Sequence, residues 1–356
     1  MDKLLSTDQT LLDSMFDAGT DEVHTFPVIF RDKHLLLVLP KIKKHALRAI
    51  TLYQPQSLKA RVYICYAKWL IRLGLARFLP KVKLGKLKED YIQLLGSTSE
   101  FGLLLGNPNS DSRKIITYHY SNDNSLVSKI GVNMKSAGDI VSEYECLEKV
   151  SKKIPSSLKL IQSFCSESKD LAYFSVKWIP GRSPRRKDYD KVCNLLTEWI
   201  SKESCQLTDF DGWKVVLEKC NGSVHSSAIE SLNNKSLMRV PIHGDFAPWN
   251  IKIGVEGEVF TLDWESYQID GAAGWDWAHF LIQSKLLIDK MYPHEVIESA
   301  LYWAKSDEGV EFLDACGWGR DHLSWIGSYL FYAQYVLGFD REELIECWKE
   351  KVEMSL

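Results

Sequence analysis

Two short stretches constrain this chain more than any other part of its sequence. Pro241-Ile242-His243-Gly244-Asp245-Phe246-Ala247-Pro248-Trp249-Asn250-Ile251 is followed by Phe260-Thr261-Leu262-Asp263-Trp264-Glu265. Between them the residues read as a β-hairpin: Ile251 to Ile253, a turn through Glu256-Gly257, then Val259 to Leu262. A hairpin returns the chain to its start. Asn250 and Asp263 are therefore expected side by side, with Asp245 on the preceding loop. An acid, an amide and a second acid in this order suit metal-assisted phosphoryl transfer. One carboxylate orients an attacking hydroxyl, while the amide and the other carboxylate hold Mg²⁺.

The spacing His243-Gly244-Asp245, then Asn250, then Asp263-Trp264-Glu265 resembles the aminoglycoside phosphotransferase and choline kinase family, relatives of the protein kinases. The resemblance covers roughly residues 95–340 and leaves 1–90 outside it. It implies a protein-kinase-like α+β fold of two lobes: a β-rich small lobe over 91–178 and a mainly helical large lobe over 179–356. Residues 1–90 then form a basic N-terminal extension. Asp245 becomes the catalytic base, Asn250 and Asp263 the magnesium ligands, and Glu265 a contact for a second metal or for the acceptor. His243 is expected to brace the loop through hydrogen bonds rather than to exchange protons. Asp276, in Gly274-Trp275-Asp276-Trp277, matches the family's later aspartate and is expected to tie loops together.

Upstream, Phe101 to Gly106, Lys114 to Tyr120 and Leu126 to Gly131 read as a three-stranded meander. The polar loop Asn107 to Arg113 joins the first two strands, and the turn Ser121-Asn122-Asp123-Asn124 the others. The resemblance lays that loop over the nucleotide phosphates and makes Lys129 the lysine that contacts them. Asp139 to Lys152 reads as a helix with Ile140, Tyr144, Leu147 and Val150 on its apolar face. Glu143 stands four residues before Leu147, as in the family's helix signature, and is expected to pair with Lys129, keeping it charged and aimed. Lys135 and Glu145 compete for those two roles. Beyond Ile154-Pro155, the strand from Leu171 leaves through Pro180-Gly181. The resemblance assigns adenine contacts to the main chain of Lys177, Trp178 and Ile179.

The charge is unevenly placed. Residues 31–90 hold fifteen Lys/Arg against three Asp/Glu, whereas the whole chain has a net charge of −3. Within this segment His34 to Leu39 reads as a short strand closed by Pro40. Ser57 suits the cap of a helix running to about Leu79. Leu58, Val62, Cys65, Trp69 and Leu73 recur on one face of that helix, with Arg61, Lys68 and Arg72 on another. The basic surplus fits a solvated face packed beside the small lobe. It also fits an acidic partner: an anionic membrane surface, a lipid-linked phosphate or an acidic glycan. No nucleic-acid module accompanies it.

Eight scattered Cys with no C-x-x-C read as reduced thiols, and no apolar run reaches the roughly 20 residues of a membrane span. A cytoplasmic protein is expected, peripheral at the inner membrane surface if the basic segment binds lipid. The overall expectation is an ATP- and Mg²⁺-dependent phosphotransferase acting on a hydroxyl of a small molecule. A sugar or glycan acceptor is favoured because Trp249, Trp264, Trp275 and Trp277 crowd the motif and aromatic faces stack on sugars. The alternative is a catalytically silent nucleotide-binding or scaffold protein.

Overall fold

Runs of Val, Ile, Leu and Tyr set eight strands of the N-terminal part into one antiparallel sheet. The description rests on a computed structural model covering residues 6–17, 24–31, 33–55, 57–95, 100–108, 110–121, 124–153, 165–168 and 171–355. Asn109 of the polar loop, the Asn122-Asp123 turn and Ile154-Pro155 lie outside these residues. The chain divides into two units, Met1–Glu145 with Leu160–Ile179 and Cys146–Lys159 with Pro180–Leu356. A β-rich first unit and a helical second unit give an α+β architecture.

The first unit runs α1 (Ser6–Met15), β1 (His24–Arg31), β2 (His34–Val38), α2 (Lys43–Ala49), α3 (Leu58–Arg72), β3 (Lys81–Leu84), α4 (Glu89–Leu95), β4 (Gly102–Leu105), β5 (Lys114–Ser121) and β6 (Asn124–Gly131). It continues with the first part of α5 (Met134–Lys153), then β7 (Cys165–Ser168) and β8 (Leu171–Lys177). The strand order is β3-β1-β2-β4-β5-β6-β8-β7. One core joins Leu12, Met15 and Phe16 of the N-terminal helix region to Phe26, Val28, Leu103 and Ile115. The other joins Ala46, Ala49, Ile64, Ala67, Leu70 and Ile71 to Leu37, Leu39 and Tyr118.

Residues 1–90 are therefore not a separate extension. Three of the eight strands come from them, and β2 pairs directly with β4 through Leu37–Leu104 and Val38–Leu103. Part of the basic surplus is the outward face of an amphipathic strand. In β3, Lys81 and Lys83 are exposed while Val82 and Leu84 are buried. Asp8 of α1 is fully buried, ion-paired to Arg113 at 2.8 Å and accepting from the Leu35 amide at 2.8 Å.

Helix α3 begins where expected, with Ser57 Oγ accepting from the Ala60 amide at 3.2 Å, but it ends at Arg72. Its inward face is Ile64, Ala67, Leu70 and Ile71, and the stripe that includes Leu58, Val62, Trp69 and Leu73 faces outward. The helix is apolar around most of its circumference, so periodicity located the helix and not its buried side.

The second unit contains α6 (Tyr189–Glu198), β9 (Ser204–Gln206), α7 (Asp211–Cys220), α8 (Ser226–Glu230), β10 (Ser236–Ile242), β11 (Ile251–Ile253), β12 (Val259–Thr261) and β13 (Gln268–Ala272). Helices α9 (Trp275–Gln283), α10 (Pro293–Ala304), α11 (Asp307–Cys316), α12 (His322–Tyr335) and α13 (Glu342–Glu353) follow. Every residue of α9 is buried, which places it at the centre of this unit. Helix α11 was not anticipated, although its signals are in the sequence. Ser306 Oγ accepts from the Gly309 amide at 3.2 Å, and Gly317 ends the helix at φ 92°. No helix among the described residues is long and apolar enough to cross a membrane.

Candidate active site

The first unit holds a buried ion pair. Lys129 sits on β6, between Ile116 of β5 and Phe174 of β8, and its Nζ lies 2.5 Å from Glu143 Oε1 of α5. The Glu143 side chain is 1% exposed and that of Lys129 13%. This burial separates the pair from its competitors. Lys135 meets Asp111 at 3.8 Å on the open surface, and Glu145 is exposed. Helix α5 starts five residues before Asp139. Asn133 Oδ1 accepts from the Ser136 amide at 2.9 Å, and Ser136 Oγ accepts from the Asn133 amide at 3.1 Å, a reciprocal cap that fixes the helix entry.

At the end of β8 the Trp178 amide donates to Ser125 O at 2.8 Å. The Trp178 indole donates to Thr51 Oγ1 at 3.1 Å under the Arg48 guanidinium, 5.1 Å from the ring centre. The Lys177 side chain is exposed, and Ile179 is half-buried.

In the second unit β11 and β12 form the expected hairpin, with Ile251 opposite Thr261 and Ile253 opposite Val259. The Leu262 amide donates to Asn250 O at 2.7 Å, which brings Asn250 and Asp263 to the open end of the hairpin. Asn250 is buried, and its Nδ2 donates to Asp245 O at 2.9 Å and to Asp245 Oδ2 at 2.8 Å. With both amide protons turned to Asp245, the amide oxygen is the atom available to a cation. Asp263 is a non-glycine residue at φ +65°, a strained conformation typical of functional positions. The amide oxygen and the Asp263 carboxylate are the hard donors that Mg²⁺ prefers, so this donor set fits that ion. Glu265 is exposed two residues on.

The loop that carries His243 to Asn250 is held from behind. Asp276 of α9 accepts from the His243 amide at 2.7 Å and the Gly244 amide at 3.1 Å. Burial pushes the Asp276 carboxyl up to about 7, against the pull of those two amides. Gly244 has φ +83°, and a Cβ there would lie 2.3 Å from Ser266 O, so only glycine fits the turn. His243 is fully buried, and its Nε2–H donates to Leu262 O at 2.9 Å. Burial lowers its pKa to about 4, which keeps the ring neutral. It packs on Trp264 at 4.5 Å between ring centres.

Two residues of this site escaped the sequence reading. His279 of α9 donates from Nε2 to Asp245 Oδ1 at 3.1 Å, and its Nδ1 accepts from the Tyr329 hydroxyl of α12 at 3.0 Å. Burial lowers the His279 pKa, so a neutral ring donates to the carboxylate. Burial acts to raise the Asp245 pKa, but the His279 hydrogen bond and nearby charges outweigh it, and the net shift is downward. Asp245 is therefore ionised at neutral pH. The only cue in sequence was the position of His279 one helical turn after Asp276. Trp264, Trp275 and Trp277 are all core residues, at most 1% exposed, and of the four motif tryptophans only Trp249 is half-buried.

Among solved structures the chain is similar, at low identity, to aminoglycoside phosphotransferases. A thermostable mutant of aminoglycoside phosphotransferase APH(4)-Ia is 13% identical over 73% of this chain and 94% of its own, with a TM-score of 0.44. Spectinomycin phosphotransferase APH(9)-Ia, solved with ADP and spectinomycin, is 12% identical over 70% of this chain and 88% of its own, with a TM-score of 0.38. APH(2″)-IIIa, solved with GDP and kanamycin, is 11% identical over 70% and 92%, with a TM-score of 0.37. Neither a family model nor a curated protein matches the sequence.

Proposed function

We propose that the protein is a phosphotransferase that moves the γ-phosphate of ATP, with Mg²⁺, onto a hydroxyl of a small molecule. The observation that carries this reading is the Lys129–Glu143 pair at 2.5 Å. A base beside two oxygen ligands suits several chemistries. A lysine fixed by a buried carboxylate on the neighbouring helix is what a nucleotide triphosphate requires in addition. Burying such a pair is costly, which argues against an incidental surface contact.

In the second unit Asp245 accepts the hydrogen bond of the acceptor hydroxyl and aims its oxygen at the phosphorus. Phosphoryl transfer passes through a loose transition state, so orientation contributes more than basicity. Asn250 and Asp263 would hold Mg²⁺, which neutralises charge developing on the phosphate oxygens. Glu265 would contact a second ion or the acceptor. Lys177, Trp178 and Ile179 would meet the adenine through their main chains. The acceptor is proposed to be a sugar or glycan-type alcohol. Burial of Trp264, Trp275 and Trp277 removes most of the aromatic argument for it and leaves Trp249.

The test is a panel of hydroxylated metabolites incubated with Mg-ATP, with phosphorylated products followed by mass. Asp245→Asn should lower the rate on the accepted compound by about a hundredfold or more. Equal rates in both proteins would reject the mechanism, and nucleotide binding with no product from any acceptor would favour a silent binding protein.

A further inference from the structure

The outward face of α3 is more apolar than a solvent-facing helix should be. Leu58, Val62, Tyr66, Trp69 and Leu73 are between 51% and 76% exposed. They are spaced by four, four, three and four residues, which keeps them on one face of a helix. The ridge they form is about 22 Å long at 1.5 Å per residue. Phe78, in the short turn after the helix, is 63% exposed and lies 5.2 Å beneath the Arg77 guanidinium. Single exposed apolar side chains need no explanation, but a continuous row marks an interaction surface.

Charge identifies the occupant. Arg61, Lys68 and Arg72 run along one flank of the ridge, with Lys59 on the other. From residue 33 to residue 88 the chain has no Asp or Glu at all. Two copies of such a face would repel each other. An anionic bilayer satisfies both halves of the pattern, with headgroups meeting the cations and the interfacial zone accepting aliphatic and aromatic side chains. Trp and Tyr are the residues that favour that zone.

We propose that α3 docks this protein on an anionic lipid bilayer. The helix lies in the plane of the surface, burying Leu58, Val62, Tyr66, Trp69 and Leu73 among the headgroups, with Arg61, Lys68 and Arg72 against lipid phosphates. Because Ile64, Ala67, Leu70 and Ile71 already fix the helix to its unit, docking requires no folding. It therefore avoids the ordering cost of a free amphipathic peptide. This inference is independent of the phosphotransferase reading.

The experiment is co-sedimentation of the full chain with vesicles of phosphatidylcholine, with and without one-third phosphatidylglycerol. Binding to the anionic vesicles is expected, with much weaker binding to neutral ones and loss at high salt. The double variants V62E/W69E and R61E/R72E should each weaken partitioning by at least about tenfold. Both should keep the wild-type thermal midpoint, since these side chains face outward. Absence of binding by the wild type, or equal binding by V62E/W69E, would overturn the proposal. So would a dimer in solution that V62E/W69E converts to monomer, which would assign the ridge to a second copy.

Discussion

Asp245 has Oδ2 facing Asn250 and Oδ1 facing His279, so its orientation depends on two side chains rather than one. His279 is itself fixed by Tyr329. Replacing His279 by leucine removes the donor at Oδ1 and keeps an apolar filling. The expected result is a ten- to hundredfold fall in kcat, from a misaligned base of unchanged identity. The nucleotide KM should not move. Tyr329→Phe leaves the imidazole in place and should cost only a few-fold. An unchanged kcat in His279→Leu would show that Asn250 alone positions the carboxylate. The motif made His243, Asp245, Asn250 and Asp263 legible because the phosphoryl-transfer chemistry proposed for them fixes both residue types and spacing. His279 and Tyr329 were not legible, since a histidine or tyrosine on an apolar helix ordinarily reads as core. Only the packing of α9 and α12 brings them to the loop.

At the scale of the element, the loop between β10 and β11 has its shape set by one glycine. Gly222 supplies a control, since its φ of +71° is also left-handed but no atom lies within 4 Å of an added Cβ. Gly222→Ala should cost about 1 kcal/mol, the conformational penalty alone. Gly244→Ala adds a 2.3 Å approach to Ser266 O and should cost a further 1–3 kcal/mol or so. It should also lower activity, because relief of the clash moves Asp245. Denaturant unfolding of the two variants measures the difference, and equal losses would mean that the loop has room to give. The hairpin beside this loop was readable from its turn residues. By contrast, β1 to β3 were hidden as elements of the main sheet, because nothing local in a strand states its distant partner. In β3 the alternation of Lys81, Val82, Lys83 and Leu84 fixes a strand with one apolar side, and pairing with β1 places that side towards the core.

For the molecule as a whole, buried histidines set the response to acid. His119 in the first unit and His243 in the second are each lowered to about 4 by burial, against roughly 6.5 for a free imidazole. Between those values the unfolded chain takes up protons that the folded chain refuses. The stability these groups contribute is present above about 6.5 and is lost as pH falls towards 4, at most about 3 kcal/mol each. Asp276 acts with the opposite sign. Its carboxyl, pushed up to about 7 by burial, takes up a proton in the folded chain before an unfolded aspartate would near 3.9. Its contribution is full below about 3.9 and lost as pH rises through 7, so acid strengthens the second unit at Asp276 while weakening it at His243. Asp276→Asn removes the compensating group. Whatever it does to stability at pH 7, the thermal midpoint of this variant should fall more steeply between pH 6.5 and 4 than that of the wild type. His119→Gln should fall less steeply. A wild-type slope in Asp276→Asn would mean that the His243 and Gly244 amides outweigh burial and keep the carboxyl ionised throughout, leaving the loop anchored by a permanent charge.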